Sequence, residues 1–437
     1  MMQFVTQYFE FGRHRTTFRT ETRAGIATFL TMAYIIIVNP AILEAAGLPR
    51  EASITATILS AAFGTLLMGV YAKRPFAIAP YMGENAFIVF TVVKGLGFPW
   101  QTALGAIFLA GVIFTLLTVF RVRGWLANAL PMSLKQSFAI GIGLFLTFIG
   151  LNQIGVVALG VPGAPVTLGA LNQPTTLLAL VGFLLTVWLL AKRVTGALII
   201  GILATTALSV LVGVTPLPHA LVSMPPSLMP VFAQLDIAGA LTLQALPVVV
   251  IVFVMAFVDT IGTLLALSRR AGLLNAEGNL PEIEKPMLAD ALVNIFAPLV
   301  GTTTSGAFVE SAVGIEEGGR SGFTAVVVAL LFLCALFIAP LLTAIPLHAT
   351  GVAMVAIGLL MVEPIATLDR HDLTEWIPAL LTIVLMSFTF NIGVGMTAGL
   401  LLHPVLKVLS GRGREVRAPM WLLAGMSLVF YLVYPYR

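Results

Sequence analysis

Charge is what this sequence has least of: 19 Asp and Glu and 23 Lys and Arg among 437 residues, 10% in all. A soluble domain carries about a quarter charged residues, because its surface must be covered by groups that water solvates. With 59% hydrophobic residues and a mean hydropathy of +1.03, this chain has no such cover, which excludes a soluble enzyme, a secreted scaffold and a disordered tail. Its basic residues sit at the ends of hydrophobic runs rather than in one patch, so nucleic acid is not an expected partner. Cysteine is nearly missing too. Cys334 stands alone inside an apolar run, which excludes an intrachain disulfide and a Cys-rich metal site and assigns it to the core as a small residue. The five His are scattered, and neither a His-Glu-x-x-His motif nor a Walker phosphate loop occurs, so no metal, cofactor or ATP-driven step is expected. Residues 1–23 are polar and place Arg13, Arg15, Arg19 and Arg23 before the first long apolar run, the wrong order for a signal peptide.

What is present is hydrophobic length. A membrane-crossing helix needs about 20 apolar residues, and runs of that kind fall at 24–44, 52–71, 101–120, 132–151, 175–192, 195–213, 244–268, 284–300, 321–345, 349–364, 374–390 and 392–409. Two shorter stretches, 76–93 and 302–318, are interrupted by Gly, Pro, Ser and carboxylates and read as broken elements at membrane depth. The expectation is an all-α polytopic membrane protein with 14 transmembrane segments. Placing the N-terminus in the cytoplasm leaves 20 of the 23 Lys and Arg on that side, with only Arg50 and Lys94 outside and Arg437 assigned to neither side, as the positive-inside rule requires. The alternation holds only if both broken elements cross. Residues 419–435, with Trp421, Tyr431, Tyr434 and Tyr436, read either as a further span or as an interfacial helix.

The two broken stretches share a grammar. "PFAIAPYMGENAF" and "GTTTSGAFVESAVGI" each put a short strand before a glycine and a half-helix, and Gly83 and Gly306 lie 223 positions apart, about half the chain. Seven crossings per half is an odd number, so the second half enters from the opposite side. Such a 7+7 inverted repeat, with paired interruptions, marks the midplane binding site of a secondary transporter.

Three carboxylates, Glu84, Asp259 and Glu310, fall in the third, eighth and tenth elements, where each costs about 2.5–3.5 kcal/mol on insertion scales. Glu84 and Glu310 follow a glycine at the start of a half-helix, so capping competes with ligand binding there. Asp259, Gly262, Thr263 and Ala266 share one small polar face of a helix, along which a flat ligand can approach; Gly262 is equally a helix-packing position. Asn85 is either a donor and acceptor for a ligand or a cap between loop and helix.

"TTSGAFVESAVGIEEGGRSGFTAV", "FVDTIGT", "RPFAIAPYMGENAF", "GIATFLTMAYIIIVNPAIL" and "IPALLTIVLMSFTFNIGVGMTAG" together resemble the azaguanine-resistance-type purine permeases of the second nucleobase-cation symporter family, over residues 8 to 435. The resemblance implies proton-coupled purine uptake across the inner (plasma) membrane. It also implies a core domain (spans 1–4, residues 24–131, and spans 8–11, residues 244–346) and a gate domain (spans 5–7, residues 132–213, and spans 12–14, residues 347–410). Residues 1–23 form a cytoplasmic arm, 214–243 an external loop and 411–437 a C-terminal segment. The family's binding carboxylate, tenth-span glutamate and third-span asparagine match Asp259, Glu310 and Asn85. Two positions depart: Glu84 stands where leucine is usual, and Ala256 where a second aspartate is usual. The expected substrate site is thus Asp259, Glu310, Glu84, Asn85, Thr263, Ser305 and Gly306, with Glu310 first and Glu84 second for proton coupling. Partners are a purine base, protons and the bilayer, with a homodimer left open. Xanthine, urate or uracil as substrate is the alternative, and an intramembrane enzyme a more distant one.

Overall fold

A computed structural model describes residues 2–120, 130–161, 164–217, 220–275, 280–389 and 391–433. Arg121, Arg123, His219, Tyr434, Tyr436 and Arg437 lie outside the described residues. Among those described, nine helices are long and apolar enough to cross a membrane.

The first run is broken in two, α1 (Phe18–Met32) and α2 (Ile35–Glu44), with Tyr34 at the junction. Then come α3 (Arg50–Val70), β1 (Ile78–Pro80), α4 (Met82–Ala86) continuing as a wide π-type turn over Phe87–Gly95, and α5 (Trp100–Val119). Next follow α6 (Met132–Gln153), the hairpin β2 (Val157–Val161) and β3 (Ala164–Leu168), α7 (Pro174–Ala191) and α8 (Ala197–Leu211). The second half runs α9 (Leu246–Arg270), α10 (Glu284–Val300), β4 (Ser305–Ala307), α11 (Ser311–Glu316), α12 (Gly322–Ala335), α13 (Leu347–Leu360), α14 (Leu373–Phe388), α15 (Ile392–Leu409) and α16 (Ala418–Val433). Side-chain oxygens start several of these: Thr17 accepts from the Thr20 amide, Asp372 from Thr374 and Asn391 from Val394. Each satisfies a backbone donor that the first helical turn leaves free.

Extended backbone at membrane depth survives only where its polar groups are paired within the protein. The two halves solve this jointly: β1 and β4 run antiparallel, with Ile78 opposite Ala307, Ala79 opposite Gly306 and Pro80 opposite Ser305. The ladder continues past the strands, Tyr81 N–H donating to Thr304 O at 3.0 Å and Phe308 N–H to Ala77 O at 2.9 Å. Two distant sequence segments thereby become one structural unit, each unable to exist in the membrane alone.

The main helix contacts fall into two sets. In one, α3 packs on α12 and α10, α10 on α5, α5 on α9 and α1 on α12; in the other, α6 packs on α13 and α14, α14 on α15, and α7 and α8 on each other and on α13. The outer face of α7 shows Leu177, Val181, Leu184 and Trp188, a surface that suits hydrocarbon and not water. Cys334 corrects the expectation of a core residue. It is exposed on α12 beside Leu330, Leu333 and Phe337, because this apolar run faces outward and hydrophobicity alone does not separate a lipid-facing position from a buried one.

Candidate functional site

Beside the paired strands lies a cavity of 280 Å³, walled by Tyr34, Tyr81, Gly83, Ile142, Phe308 and Met361 and carrying Asp259, Thr263 and Glu310. At ~30 Å³ per water molecule this is the space of about nine waters, enough for a two-ring base. Asp259 is exposed to this space although it sits halfway along a membrane helix. No donor to its carboxylate occurs among the described residues. Gly262, one turn on, has nothing within 4 Å of where a Cβ would stand, so the Asp259–Gly262–Thr263–Ala266 face opens to free space and Gly262 is not a packing position.

Glu310 is the N-cap of α11, and its carboxylate is held by a hydroxyl from the other half: Tyr34 Oη donates to Glu310 Oε1 at 2.6 Å. Tyr34 reaches it because the break between α1 and α2 places its ring at membrane depth. Three aromatic rings frame the cavity. Tyr81 and Phe308 lie within 21° of parallel with centroids 6.5 Å apart, and Tyr34 is tilted against Phe308 at the same separation. Tyr81 Oη donates to Ala307 O at 3.2 Å, which lays its ring across Gly306; any Cβ there would run into it.

Behind the wall is a buried polar lattice that the sequence reading did not find. Asp290, a fourth membrane-depth carboxylate and fully buried, accepts from the Thr260 hydroxyl and from Ala307 N–H at 2.8 Å. Asn294 donates to Ser305 O at 2.8 Å and accepts from Ser305 N–H at 3.0 Å, and Ser305 Oγ meets Ser60 Oγ at 3.0 Å. Asn85 donates to Asn39 and accepts from Thr303, while Asn39 donates to Thr57 and Thr302. Each amide side chain presents donors and acceptors in fixed positions, which suits it to cross-link strand and helix ends. Asp290 carried the same signal as the other three, a carboxylate inside an apolar run; Tyr34, Tyr81 and Phe308 carried none, since an aromatic in a membrane helix is ordinary.

Of the seven residues expected at the site, Asp259, Glu310 and Thr263 open on the cavity. Asn85, Ser305 and Gly306 belong to the scaffold that shapes it. Glu84 stands apart: it is 1% exposed, and both carboxylate oxygens are buried with no hydrogen-bond partner. Gly83, its neighbour on the cavity side, is pressed so closely on α6 that a Cβ would come within 2.6 Å of Ile142.

Broken helices meeting at paired strands, with carboxylates and rings around a cavity beside them, are the architecture of a multi-pass membrane transporter. The fold is similar to the transmembrane domain of the cyanobacterial bicarbonate transporter BicA, with a TM-score of 0.64 at 17% identity, covering 87% of this chain and 96% of that one. The profile of the Permease family (Xan_ur_permease) matches residues 19–398, and the chain belongs to this family. Adenine permease AdeP of Escherichia coli is 38% identical, over 98% of this chain and 96% of its own length. Guanine/hypoxanthine permease PbuG of Bacillus subtilis is 37% identical, over 98% of both chains.

Proposed function

We propose that this protein is a secondary active transporter that takes up purine nucleobases with protons across the inner (plasma) membrane, its N-terminus in the cytoplasm. The observation that carries the reading is the pairing of Asp259 and Glu310 on one aromatic-walled cavity, in a chain similar over its whole length to an adenine and a guanine/hypoxanthine permease. A purine offers ring N–H and exocyclic amine donors in its plane and two apolar faces. The carboxylates accept from the edge, Thr263 adds a hydroxyl, and Tyr34, Tyr81 and Phe308 meet the faces. Donors left unpaired in a dry site cost about 1–3 kcal/mol each, which is how such a cavity rejects bases with the wrong edge.

Alternating access in this reading is movement of one set of helices against the other. The set holding both strands, 24–131 with 244–346, is the core, and 132–213 with 347–410 is the gate; the near-separate packing of the two sets supports the division, and a 7+7 inverted repeat accounts for the antiparallel pairing of β1 with β4. Reconstituted protein should accumulate radiolabelled purine when an inward proton gradient is imposed, and unlabelled adenine, guanine and hypoxanthine should compete better than xanthine, urate or uracil. Competition led by uracil or urate would reassign the substrate, and accumulation driven by sodium alone would reassign the coupling ion.

A further inference from the structure

We propose that the external side of the cavity is shut by a latch between the π-type turn Phe87–Gly95 and the first turn of α15, with the Thr91 hydroxyl as its catch. The proposal deepens the transport reading and rests on it, including its two sets of helices and its cytoplasmic N-terminus.

Helix α9 shows which way the cavity opens. From Asp259 toward Arg270 one face of the helix is uncovered: Asp259, Gly262, Ala266, Arg269 and Arg270 are exposed and Thr263 is half-buried. From Asp259 back toward Leu246 the same face is covered, with Ala256, Met255, Val252 and Val248 all buried. Arg269 and Arg270 mark the cytoplasmic end in the proposed orientation. The path from Asp259 thus leads to the cytoplasm, and packed apolar side chains close the other direction.

The closed side follows the third span. This span starts after Lys73 and Arg74, passes the cavity at Gly83 and continues outward as the π-type turn, an uncommon element found mostly at functional sites. There it meets the other set of helices. Ile392 N–H, in the first turn of α15, donates to Thr91 Oγ1 at 3.2 Å. Phe87, Thr91 and Ile392 are all fully buried, and Gly393 is pressed on the turn: a Cβ there would come within 2.8 Å of the Phe87 ring and 3.3 Å of the Thr91 methyl group.

The first turn of a helix leaves its N–H groups without partners inside the helix. Helix α15 satisfies the Val394 N–H with its own Asn391 side chain, at 3.1 Å, but takes the acceptor for Ile392 from the opposite set. Its cap is therefore shared across the boundary that must open for a base to enter from outside. The Thr91 bond is made in the closed arrangement and lost in the open one, so it biases the equilibrium toward closure. Gly393 lets the two backbones approach closely enough to make it.

The test uses the full chain in right-side-out proteoliposomes, with Cys334→Ser as background and one reporter thiol at a time: Ala256→Cys on the covered stretch of α9, Gly262→Cys on the open one. A membrane-impermeant maleimide added outside should leave Ala256→Cys nearly unlabelled, and the same reagent trapped inside should label Gly262→Cys readily. Thr91→Val removes the acceptor at nearly constant volume; it should raise outside labelling of Ala256→Cys several-fold and lower inside labelling of Gly262→Cys. Thr91→Ser keeps the hydroxyl and should leave both rates as they were. Gly393→Ala wedges the contact against Phe87 and should act as Thr91→Val does, which keeps the test decisive should the valine variant misfold. Unchanged rates at both reporters in a folded Thr91→Val or Gly393→Ala protein overturn the latch, as does a serine effect as large as that of valine. Labelling of Gly262→Cys from outside and not from inside overturns the direction of opening. Wild-type vesicles that accumulate no purine overturn the transport reading, a result separate from the labelling rates.

Discussion

Tyr34 and Glu310, 276 residues apart, meet through a 2.6 Å hydrogen bond that joins the break in the first long helix to the cap of the half-helix in the second half. The bond makes the cavity wall a shared product of both halves, and it orients the carboxylate of Glu310, which lines the cavity. Tyr34→Phe removes it while keeping the ring. A hydrogen bond to a charged group contributes about 1.5–3 kcal/mol, so purine affinity should weaken roughly tenfold to a hundredfold. Binding by isothermal titration checks this, and wild-type affinity in the variant would separate Glu310 from the substrate.

Asp259 and Asp290 should respond in opposite ways. Asp259→Ala removes a cavity-facing group with no partner among the described residues, so melting should be nearly unchanged while purine binding is lost. Asp290→Ala strands the Thr260 hydroxyl and the Ala307 amide in a buried interior, at roughly 1–3 kcal/mol each. Thermal denaturation in detergent should show clear destabilisation for Asp290→Ala only; equal melting of the two variants would refute the distinction.

Gly306→Ala inserts a methyl group where the Tyr81 ring lies. Overpacking of this kind costs about 1–3 kcal/mol, and here the strain falls on the aromatic wall, so uptake should drop more than protein yield. Replacing the tyrosine as well, in Gly306→Ala with Tyr81→Leu, should relieve the clash and recover the melting temperature without recovering affinity. Failure of the double variant to regain stability would mean the strain lies elsewhere.

Gly262 tolerates a side chain, since nothing lies within 4 Å of its Cβ direction. Gly262→Cys, made with Cys334→Ser to remove the exposed native thiol, should react readily with a water-soluble maleimide, and adenine or hypoxanthine should slow the reaction several-fold by covering Asp259 one turn away. A rate indifferent to every purine tested would place the ligand off this helix face.

The amino-acid sequence by itself determined that this is a membrane protein and where its hydrophobic runs lie, because crossing hydrocarbon imposes a length and a composition that no other context demands. It also singled out Asp259 and Glu310, since a carboxylate costs so much at membrane depth that its presence is itself a signal. Asp290 carried the same signal and was passed over, although its neighbours Asn294 and Thr260 now explain its burial. Only the tertiary structure decided which carboxylates open on the cavity and which serve the scaffold. Asn85, Ser305 and Gly306 sit at the same strand and half-helix ends as the cavity residues, and a linear reading ranks them alike. The difference arises from pairings between residues more than 200 positions apart: Asn85 with Thr303, Tyr34 with Glu310, Tyr81 over Gly306. A local pattern of residues states what each side chain can donate or accept. Which partner it meets is settled when two distant strands close their backbone hydrogen bonds on each other, the one arrangement that lets either remain in the membrane.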